Sequence, residues 1–338
     1  VAGISNQAGI SIQLSANGRR IVIGAWVGGF LLEGLVRVYE YNRDLNIWYR
    51  LGQDLYGNKP YIFFGGAVAI SDDGYIIAVG ADYDENNTNN NNNDNNGAIQ
   101  YAGSVQVFSY SRVSRDWERM GDTLYGSEEN DRFGWDVALS GDGHTLAVGA
   151  PQVNSVGVRR GKVWVYTYER FQWQPLGGQQ LPLVGISPGD AAGHSVDISN
   201  DGTIVAFGAY NTNITSTSGY VQVYRLQDVD NDDNDNDEDE GEARNDHSSR
   251  EWQQMGQTLI DVDDYRLGRS VSLSPNADTV AVGGVSKSGN HAGTVSVFRY
   301  GGSSATSSSG GGGGGGGGLA KTHHRVGFSS FEVISPAT

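Results

Sequence analysis

Four side chains that could act on a ligand occupy equivalent positions in a segment that recurs along the chain. Each lies one or two residues after the glycine that opens its copy: Trp135, Asp136, His194 and Arg269. The repeated framework stays constant while these positions vary, so we interpret them as ligand-binding residues. An indole, a carboxylate, an imidazole and a guanidinium together suit a polar ligand. The competing interpretation is that all four are solvated loop residues.

These residues give little support to catalysis. Asp136 and His194 are the one pair that would bring a carboxylate and an imidazole to the same place. The chain has six histidines, none with the H-x-x-x-H spacing of a zinc site. We therefore predict no catalytic residue, and a protein that is not an enzyme.

The sequence predicts no metal site and no cofactor. The acidic run at 228–246 offers alternating carboxylates at Asp228, Asp230 and Asp232. It lacks the glycine and the closing glutamate of a calcium loop, so we interpret it as a solvated polyanionic loop. The chain contains no cysteine, which removes disulfides and zinc–thiolate sites.

The segment that positions the four side chains is best preserved at Phe133–Pro151. Two alternating apolar runs flank a Ser-Gly-Asp-Gly turn there, which is a strong signal for a β-hairpin. Further copies occur at Gly9–Trp26, Gly65–Asp82, Gly193–Tyr210 and Gly268–Val285. Five copies in one chain predict a repeat architecture.

Two more runs follow each hairpin and complete the unit. The third run is rich in valine and ends in aromatic residues, as in Val163–Tyr168. The fourth run opens with tryptophan in four copies, at Trp48, Trp117, Trp173 and Trp252. Because each tryptophan holds the same place in the repeat, we interpret them as packing residues between units. No run has a helical period, so we predict an all-β fold, a β-propeller of four-stranded antiparallel blades with five recognisable repeats.

The propeller is predicted to span residues 1–300, with low-complexity inserts at 86–96 and 228–246. Residues 301–338 form a Gly/Ser-rich tail. The fifth repeat has no Trp-containing fourth run, and 326–335 is the segment of the tail that could return a last strand. The five repeats are either a whole ring or part of a seven-bladed one.

Charge and hydrophobicity limit the partners. The net charge of −16 lies mostly in the acidic insert, and no basic stripe is present, so we predict no nucleic-acid partner. No run reaches the ~18 apolar residues of a membrane helix, so we predict no membrane insertion. We expect a monomer. Two sequons, at Asn86 and Asn213, are candidate glycosylation sites.

The motif Phe133-Gly134, Val148–Pro151 and the following Gly161–Tyr166 resembles the FG-GAP repeat. The resemblance extends from Gly9 to Tyr300 and is most specific in the third copy. The FG-GAP repeat builds the seven-bladed head of integrin α subunits and many extracellular bacterial and algal proteins. The resemblance therefore implies a propeller with a binding role, commonly an adhesive one.

The hairpin turns depart from the integrin pattern. Integrin-type repeats carry a D-x-D-x-D-G calcium loop, whereas of the five turns here two offer one carboxylate, one offers two and two offer none. Six to eight oxygen ligands are not available for calcium. We interpret the turns as hairpin turns in which serine and aspartate bond to the local backbone.

The leading hypothesis is a non-catalytic binding or adhesion-type scaffold that recognises a protein or glycan ligand at the channel mouth. We expect it to be extracellular or at the cell surface. One alternative is a propeller-fold hydrolase or lyase that acts on polysaccharide. The other is a degenerate repeat fragment without a ligand.

Overall fold

The computed structural model describes residues 7–87, 98–152, 160–178, 181–210, 219–229, 249–260, 265–286, 293–300 and 319–322. Over these residues the chain forms strands and turns, with no α-helix. Five antiparallel sheets follow one another along the chain, and their first strands lie side by side in chain order. The fold is an all-β propeller with five four-stranded blades in the described part, as predicted.

The first two blades have these strands. Blade 1 consists of β1 (Ser11–Leu14), β2 (Arg20–Ala25), β3 (Leu35–Asn42), β4 (Ile47–Arg50) and the short β5 (Leu55–Tyr56). Blade 2 begins with β6 (Ala67–Ile70) and β7 (Ile76–Ala81), after which β8 (Asn86–Asn87) and β9 (Ala98–Ile99) form a separate pair. Blade 2 continues with β10 (Ser104–Ser111), β11 (Asp116–Arg119) and the short β12 (Leu124–Tyr125).

The remaining blades repeat this order. Blade 3 consists of β13 (Asp136–Leu139), β14 (Thr145–Ala150), β15 (Lys162–Glu169), β16 (Gln172–Pro175) and β17 (Leu183–Val184). Blade 4 consists of β18 (Ala192–Ile198), β19 (Ile204–Ala209), β20 (Tyr220–Val229), β21 (Ser249–Gln254) and β22 (Leu259–Ile260). Blade 5 consists of β23 (Tyr265–Leu273), β24 (Thr279–Ser286), β25 (Gly293–Tyr300) and β26 (Leu319–Thr322).

The sequence did not predict the short fifth strand of blades 1 to 4. In each of these blades it pairs with the first residues of the third strand, on the side opposite the second strand. Two-residue strands have no periodicity to detect. They lead the chain inward from the blade edge toward the axis, where the next blade begins.

The hairpin turns have the hydrogen bonds that the sequence predicts. In blade 3 the Ser140 hydroxyl donates to Asp142 Oδ1 at 2.6 Å, and the Thr145 N–H donates to Ser140 Oγ at 2.9 Å. The turns also join neighbouring blades, because the Asp72 N–H donates to the Gly141 carbonyl and the Gly141 N–H donates to the Asn200 carbonyl. The aspartate side chains therefore stabilise the backbone of these turns through local hydrogen bonds.

Three of the four repeated tryptophans pack between blades as predicted. The indole N–H of Trp117 donates to the Leu51 carbonyl of the preceding blade at 2.9 Å, and that of Trp173 donates to the Met120 carbonyl at 2.8 Å. Trp252 makes the same bond to blade 3. The interpretation fails for Trp48, which is 44% exposed, because no described blade precedes blade 1.

A glycine pair brings the backbones of adjacent blades into contact. A Cβ on Gly149 in β14 would lie 2.0 Å from the carbonyl oxygen of Gly193, the opening glycine of blade 4. Gly193 itself has a φ of 85°, which favours glycine. The equivalent approach recurs for the pairs Gly24 and Gly65, Gly80 and Gly134, and Gly208 and Gly268. These contacts explain why both the opening glycine of a copy and the glycine near the end of the second strand are conserved between the repeats of this chain.

The boundaries of the inserts and tail differ in detail from the sequence analysis. Asn86 and Asn87 form β8, and β20 continues through Asp228 to Val229, so both predicted inserts begin within strands. The rest of each insert and the segment 326–335 lie outside the described residues. The fourth strand of blade 5 is Leu319–Thr322, within the predicted tail. No helix in the described part is long and apolar enough to cross a membrane.

We expect Gly149→Ala to destabilise the protein by about 3 kcal/mol, because its Cβ meets the backbone of the next blade. Gly283→Ala is the matched control at the same place in blade 5, where the Cβ would meet only the Ser270 side chain. The control should stay within about 1 kcal/mol of wild type. Urea unfolding measures both. Equal losses for the two variants would show that the glycine contact does not hold the blades together.

Candidate functional site

A cavity of about 420 Å³ opens at one end of the propeller axis. All five blades contribute to it through the residues that follow their opening glycines. The lining residues are Ile10, Ser11, Gly66, Ala67, Trp135, Asp136, His194, Ser195, Arg269, Ser270 and Val271. The four predicted ligand-binding side chains are thus brought together at the channel mouth. Whether they bind a ligand stays a prediction.

Local backbone geometry aims these side chains at the axis. The Trp135 N–H donates to the Arg132 carbonyl at 3.0 Å, and this closes a tight turn around Gly134, whose φ is 86°. In blades 4 and 5 the pairing of the first two strands shifts register between Ala192 and Ser195 and between Leu267 and Ser270. His194 and Arg269 lie inside these shifts. Such bulges re-aim side chains.

Asp136 is a carboxylate with an unusually high pKa. Burial raises its pKa from 3.8 to about 7, although backbone N–H groups of Val196 and Val137 hydrogen-bond to it and lower the pKa. The Val196 N–H donates to Oδ2 at 2.8 Å and the Val137 N–H donates to Oδ1 at 3.0 Å. Each oxygen retains a second lone pair. Near neutral pH the group can therefore both take up and release a proton.

His194 is a neutral imidazole beside a cation. Burial, followed by the charge of Arg269, lowers the pKa of His194 to about 4. A guanidinium can only donate, so the contact between Arg269 Nη1 and His194 Nε2 makes Nε2 the acceptor and leaves the proton on Nδ1. Nδ1 is buried and has no hydrogen-bond partner in the described part. The imidazole therefore holds the guanidinium at the cavity without adding charge.

Aromatic rings surround the pair of His194 and Arg269. The ring centroids of Trp135 and His194 are 5.5 Å apart, and those of His194 and Tyr210 are 5.1 Å apart. The Arg269 guanidinium lies 5.2 Å from the Tyr210 ring centroid, a cation–π distance. Tyr210 was missed from the sequence. It follows the Gly-Ala pair that ends β19, a position that also varies between repeats.

A second charged group lies next to the cavity wall. Arg132 Nη1 is 3.4 Å from Asp82 Oδ2, and its guanidinium stacks 3.5 Å from the Tyr83 ring centroid. Burial raises the pKa of Asp82 to about 6, against the lowering effect of Arg132. A Cβ on the cavity residue Gly66 would lie 3.7 Å from Asp82 Oδ1. This ion pair was also missed, because its members come from different blades.

The chain contains a G-x-S-x-G pattern at 185–189 that is not a nucleophile elbow. An elbow places its serine between a strand and a helix, whereas this segment leads into β18 and the described part has no α-helix. The Ser187 N–H donates to Asp190 Oδ2 at 2.6 Å, as the Ser127 N–H donates to Asp131 Oδ2 in blade 2. The pattern is a turn of the repeat.

The remaining predicted sites have mixed outcomes. The side-chain N–H of Asn86 donates to the Gly126 carbonyl at 3.0 Å, so the nitrogen that would carry a glycan is engaged with the protein. Asn213 lies outside the described residues. No group of three or more His, Asp or Glu side chains in the described ranges is arranged to hold a metal ion.

The comparisons with known proteins begin with a family match. The FG-GAP repeat matches residues 125–166, which run from the end of β12 to the middle of β15. Together with the five blades, this match confirms the predicted FG-GAP-type propeller. A search of curated protein sequences finds no match to the chain.

Solved structures with the same fold are named as enzymes. A periplasmic gluconolactonase of Pseudomonas aeruginosa superposes with a TM-score of 0.55 at 16% identity, over 99% of this chain and 77% of the other. A protein of Bacteroides fragilis assigned as a 6-phosphogluconolactonase gives a TM-score of 0.50 at 13% identity, over 93% of this chain and 69% of the other. At these identities the likeness shows the fold.

These neighbours overturn two predictions. The chain was expected to be a non-catalytic adhesion-type scaffold and not an enzyme, whereas both neighbours are named as lactonases, which are hydrolases. The alternative of a propeller-fold hydrolase is better supported. The error came from the search for a local motif. A propeller site takes single residues from several blades, so no motif marks it. Adhesion and an integrin-like role are not supported.

Because the pKa of Asp136 is raised, we expect wild type and Asp136→Asn to differ in stability by an amount that depends on pH. A carboxyl group with a raised folded-state pKa stabilises the fold while it is protonated, and this contribution is lost as pH rises from about 4 to about 7. Asp136→Asn removes the ionisation. Relative to wild type, we expect the variant's free energy of unfolding to increase over this range, by about 1.4 kcal/mol for each unit of raised pKa. Urea unfolding at a series of pH values tests this, and a constant difference would contradict the raised pKa.

Proposed function

We propose that this protein is a hydrolase whose active site is the channel-mouth cavity and whose substrate is a small polyhydroxylated lactone or ester. The observation that carries the proposal is Asp136. It is a carboxylate with a pKa of about 7 at a position where the scaffold needs only a hydroxyl group. A general base works best when its pKa is near the working pH.

Blade 1 supports the claim about the scaffold. The Val68 N–H donates to Ser11 Oγ at 3.0 Å, just as the Val196 N–H donates to Asp136 Oδ2 at 2.8 Å. Ser11 and Asp136 hold the same place in the repeat, and blade 2 has Ala67 there. Blade-to-blade bonding therefore does not account for the carboxylate. An ionisable group that the scaffold does not need is a candidate for chemistry.

The proposed reaction needs one base and one water molecule. Ionised Asp136 takes a proton from water while the water oxygen attacks the carbonyl carbon of the lactone. The tetrahedral intermediate then collapses and the bond from that carbon to the ring oxygen breaks. Protonated Asp136 returns its proton to the leaving alkoxide. The product is an open-chain hydroxy acid, so the water atoms are all accounted for.

Arg269 is assigned the role of stabilising the intermediate. A guanidinium at the cavity wall can donate to the oxyanion that develops on the carbonyl oxygen. His194 accepts from Arg269 through Nε2 and is assigned a positioning role. The Trp135 indole offers an apolar wall for the C–H face of a sugar ring. The four residues predicted to bind a ligand are therefore all used, but they are now assigned to hydrolysing that ligand.

The size of the cavity and the fold neighbours support the substrate class. A cavity of about 420 Å³ lies in the range of small-molecule sites, ~300–1,000 Å³. The neighbours that reach a TM-score of 0.50 are named for sugar lactones. One of them is periplasmic, and we propose that this protein also works outside the cytoplasm.

Hydrolysis of gluconolactone by purified protein tests the proposal. We expect kcat/KM to rise with pH through about 7 as Asp136 loses its proton. Asp136→Asn should lower kcat by about 100-fold or more, the range for loss of a general base. Asp136→Ser should lose activity equally while keeping the melting temperature, since serine fills this place in blade 1.

Asp197→Asn is the matched control. Asp197 is also a carboxylate with a burial-raised pKa, and its Oδ2 accepts from the Leu273 N–H at 2.7 Å. It does not line the cavity, so this variant should keep its kcat, while loss of the Asp197 charge, which contributes to the raised pKa of Asp136, should move the pH profile slightly toward lower pH. Equal loss in Asp136→Asn and Asp197→Asn, or full activity in Asp136→Asn, would refute the assignment.

A further inference from the structure

Four aromatic rings form a row at the end of the propeller where the cavity opens. We call them the aromatic row: Trp26, Phe63, Tyr83 and Tyr101. The ring centroid of Phe63 lies 4.9 Å from that of Trp26 and 4.3 Å from that of Tyr83. The centroids of Tyr83 and Tyr101 are 5.3 Å apart. The first three side chains are half-buried and Tyr101 is 39% exposed, so each ring keeps part of its surface in solvent.

The repeat does not require an aromatic side chain at Phe63. This residue lies two positions before the opening glycine of its blade, and blades 1, 3 and 4 have Gln7, Arg132 and Ala191 there. All four residues have a left-handed backbone, with φ between 46° and 59°. The turn therefore demands a conformation and accepts alanine in it.

Trp26 and Tyr83 are also free of the repeat. Trp26 follows the Gly-Ala pair that ends β2, where blade 3 has Pro151. Tyr83 comes two residues after the pair that ends β7, where blade 3 has Gln152. The row is thus a feature of blades 1 and 2, and the framework of the propeller does not account for it.

Blade 2 leaves the cavity wall open toward the row. Its first cavity residue is Gly66, whereas the other blades place larger side chains at this position: Ile10, Trp135, His194 and Arg269. Gly66 is not among the glycines with a positive φ, so its backbone conformation does not demand glycine. Its N–H donates to the Phe63 carbonyl at 2.9 Å. The cavity and the row therefore meet at one turn, and a bound molecule can extend across it.

A hydrogen-bonding group lies at the same place. Asp82 Oδ2 accepts from Arg132 Nη1 at 3.4 Å, while Oδ1 lies on the side of Gly66, 3.7 Å from the position of a Cβ there. The guanidinium of Arg132 in turn stacks on Tyr83, a member of the row, at 3.5 Å from its ring centroid. An acceptor for hydroxyl groups is therefore built into the junction between cavity and row.

We propose that the aromatic row is a binding subsite for a sugar unit of a neutral oligosaccharide. The C–H groups on one side of a sugar ring form an apolar face that stacks on aromatic rings, and its hydroxyl groups need partners such as Asp82. Each ring of the row contacts the next, so little side-chain freedom is lost on binding. The net charge of −16 disfavours an anionic glycan.

The position of the row extends the proposed function, on which this step rests. A sugar unit on the row lies next to the cavity in which the lactone is placed. The substrate is then an oligosaccharide whose terminal unit is the lactone, with the neighbouring unit crossing Gly66 to reach Phe63. The row supplies binding, and the hydrolysis remains in the cavity.

Titration calorimetry with cellotetraose and with maltotetraose tests sugar binding without turnover. Wild type should bind at least one of them. Phe63→Ala should weaken this binding by about 10-fold or more, the scale for loss of an aromatic anchor. Trp26→Val, which installs the residue that blade 5 has at this place, should weaken it as well. The fold should tolerate alanine at 63, because Ala191 has the same conformation in blade 4.

Phe171→Ala is the matched control. Phe171 is also a phenylalanine with a left-handed backbone, at φ 66°, and it is 85% exposed. It lies in the turn between β15 and β16, at the end of the blade opposite the cavity. This variant should bind the tetrasaccharide like wild type. Thermal unfolding followed by circular dichroism should show that all three variants are folded.

Hydrolysis separates the subsite from the proposed function. Wild type should have a higher kcat/KM for cellobionolactone than for gluconolactone, and Phe63→Ala should lower this ratio, mainly through KM. Hydrolysis of neither lactone, with tetrasaccharide binding intact, would refute the proposed function and support the subsite. Hydrolysis of both lactones with a ratio that Phe63→Ala leaves unchanged would refute the subsite alone.

Three results of the binding experiment would overturn the proposal. The first is a wild type that binds neither tetrasaccharide. The second is binding that Phe63→Ala and Trp26→Val leave intact, or that Phe171→Ala weakens equally, which would place the sugar elsewhere. The third is a row that binds phosphatidylcholine vesicles in a Phe63-dependent manner and no sugar, which would indicate a membrane surface as its partner.

Discussion

The close approach of two glycines at each blade contact is the constraint on which the rest of the structure depends. A side chain on Gly149 would occupy the space of the Gly193 carbonyl oxygen, so the backbones can meet only where both residues are glycine. This approach fixes the distance between neighbouring innermost strands. It also sets where the chain turns after the opening glycine, and the next one or two residues therefore reach the cavity in every blade.

A scaffold built in this way leaves the cavity residues free to vary. Ser11 and Asp136 make the same bond to the next blade, yet one is neutral and the other ionises with a pKa of about 7. The carboxylate is held by backbone donors while burial makes its charge costly. At His194 the effect is the opposite, because burial and then the charge of Arg269 lower the pKa and keep the imidazole neutral. Equivalent positions of the repeat thus carry different charges into one cavity.

The repeats made the fold predictable, and they also placed the candidate site. Trp135, Asp136, His194 and Arg269 were chosen because they vary where the framework does not, and the structure brings them to one cavity. Tyr210 and the pair of Asp82 and Arg132 were missed, because their contacts cross blades and leave no local pattern. The raised pKa of Asp136 depends on burial, which a single sequence position does not reveal. The expectation of a non-enzyme, which the lactonase names of the fold neighbours contradict, rested on the lack of a local motif, and a propeller site built from single residues of several blades has none.

A crystal structure of Asp136→Asn with gluconolactone bound would test the central claim most directly. The variant should retain the fold and bind the lactone without turnover, which would allow the complex to be observed. We predict that the carbonyl carbon lies beside residue 136, with the carbonyl oxygen within hydrogen-bond distance of Arg269. A lactone bound elsewhere on the propeller, or a cavity that stays empty at saturating lactone, would contradict the account.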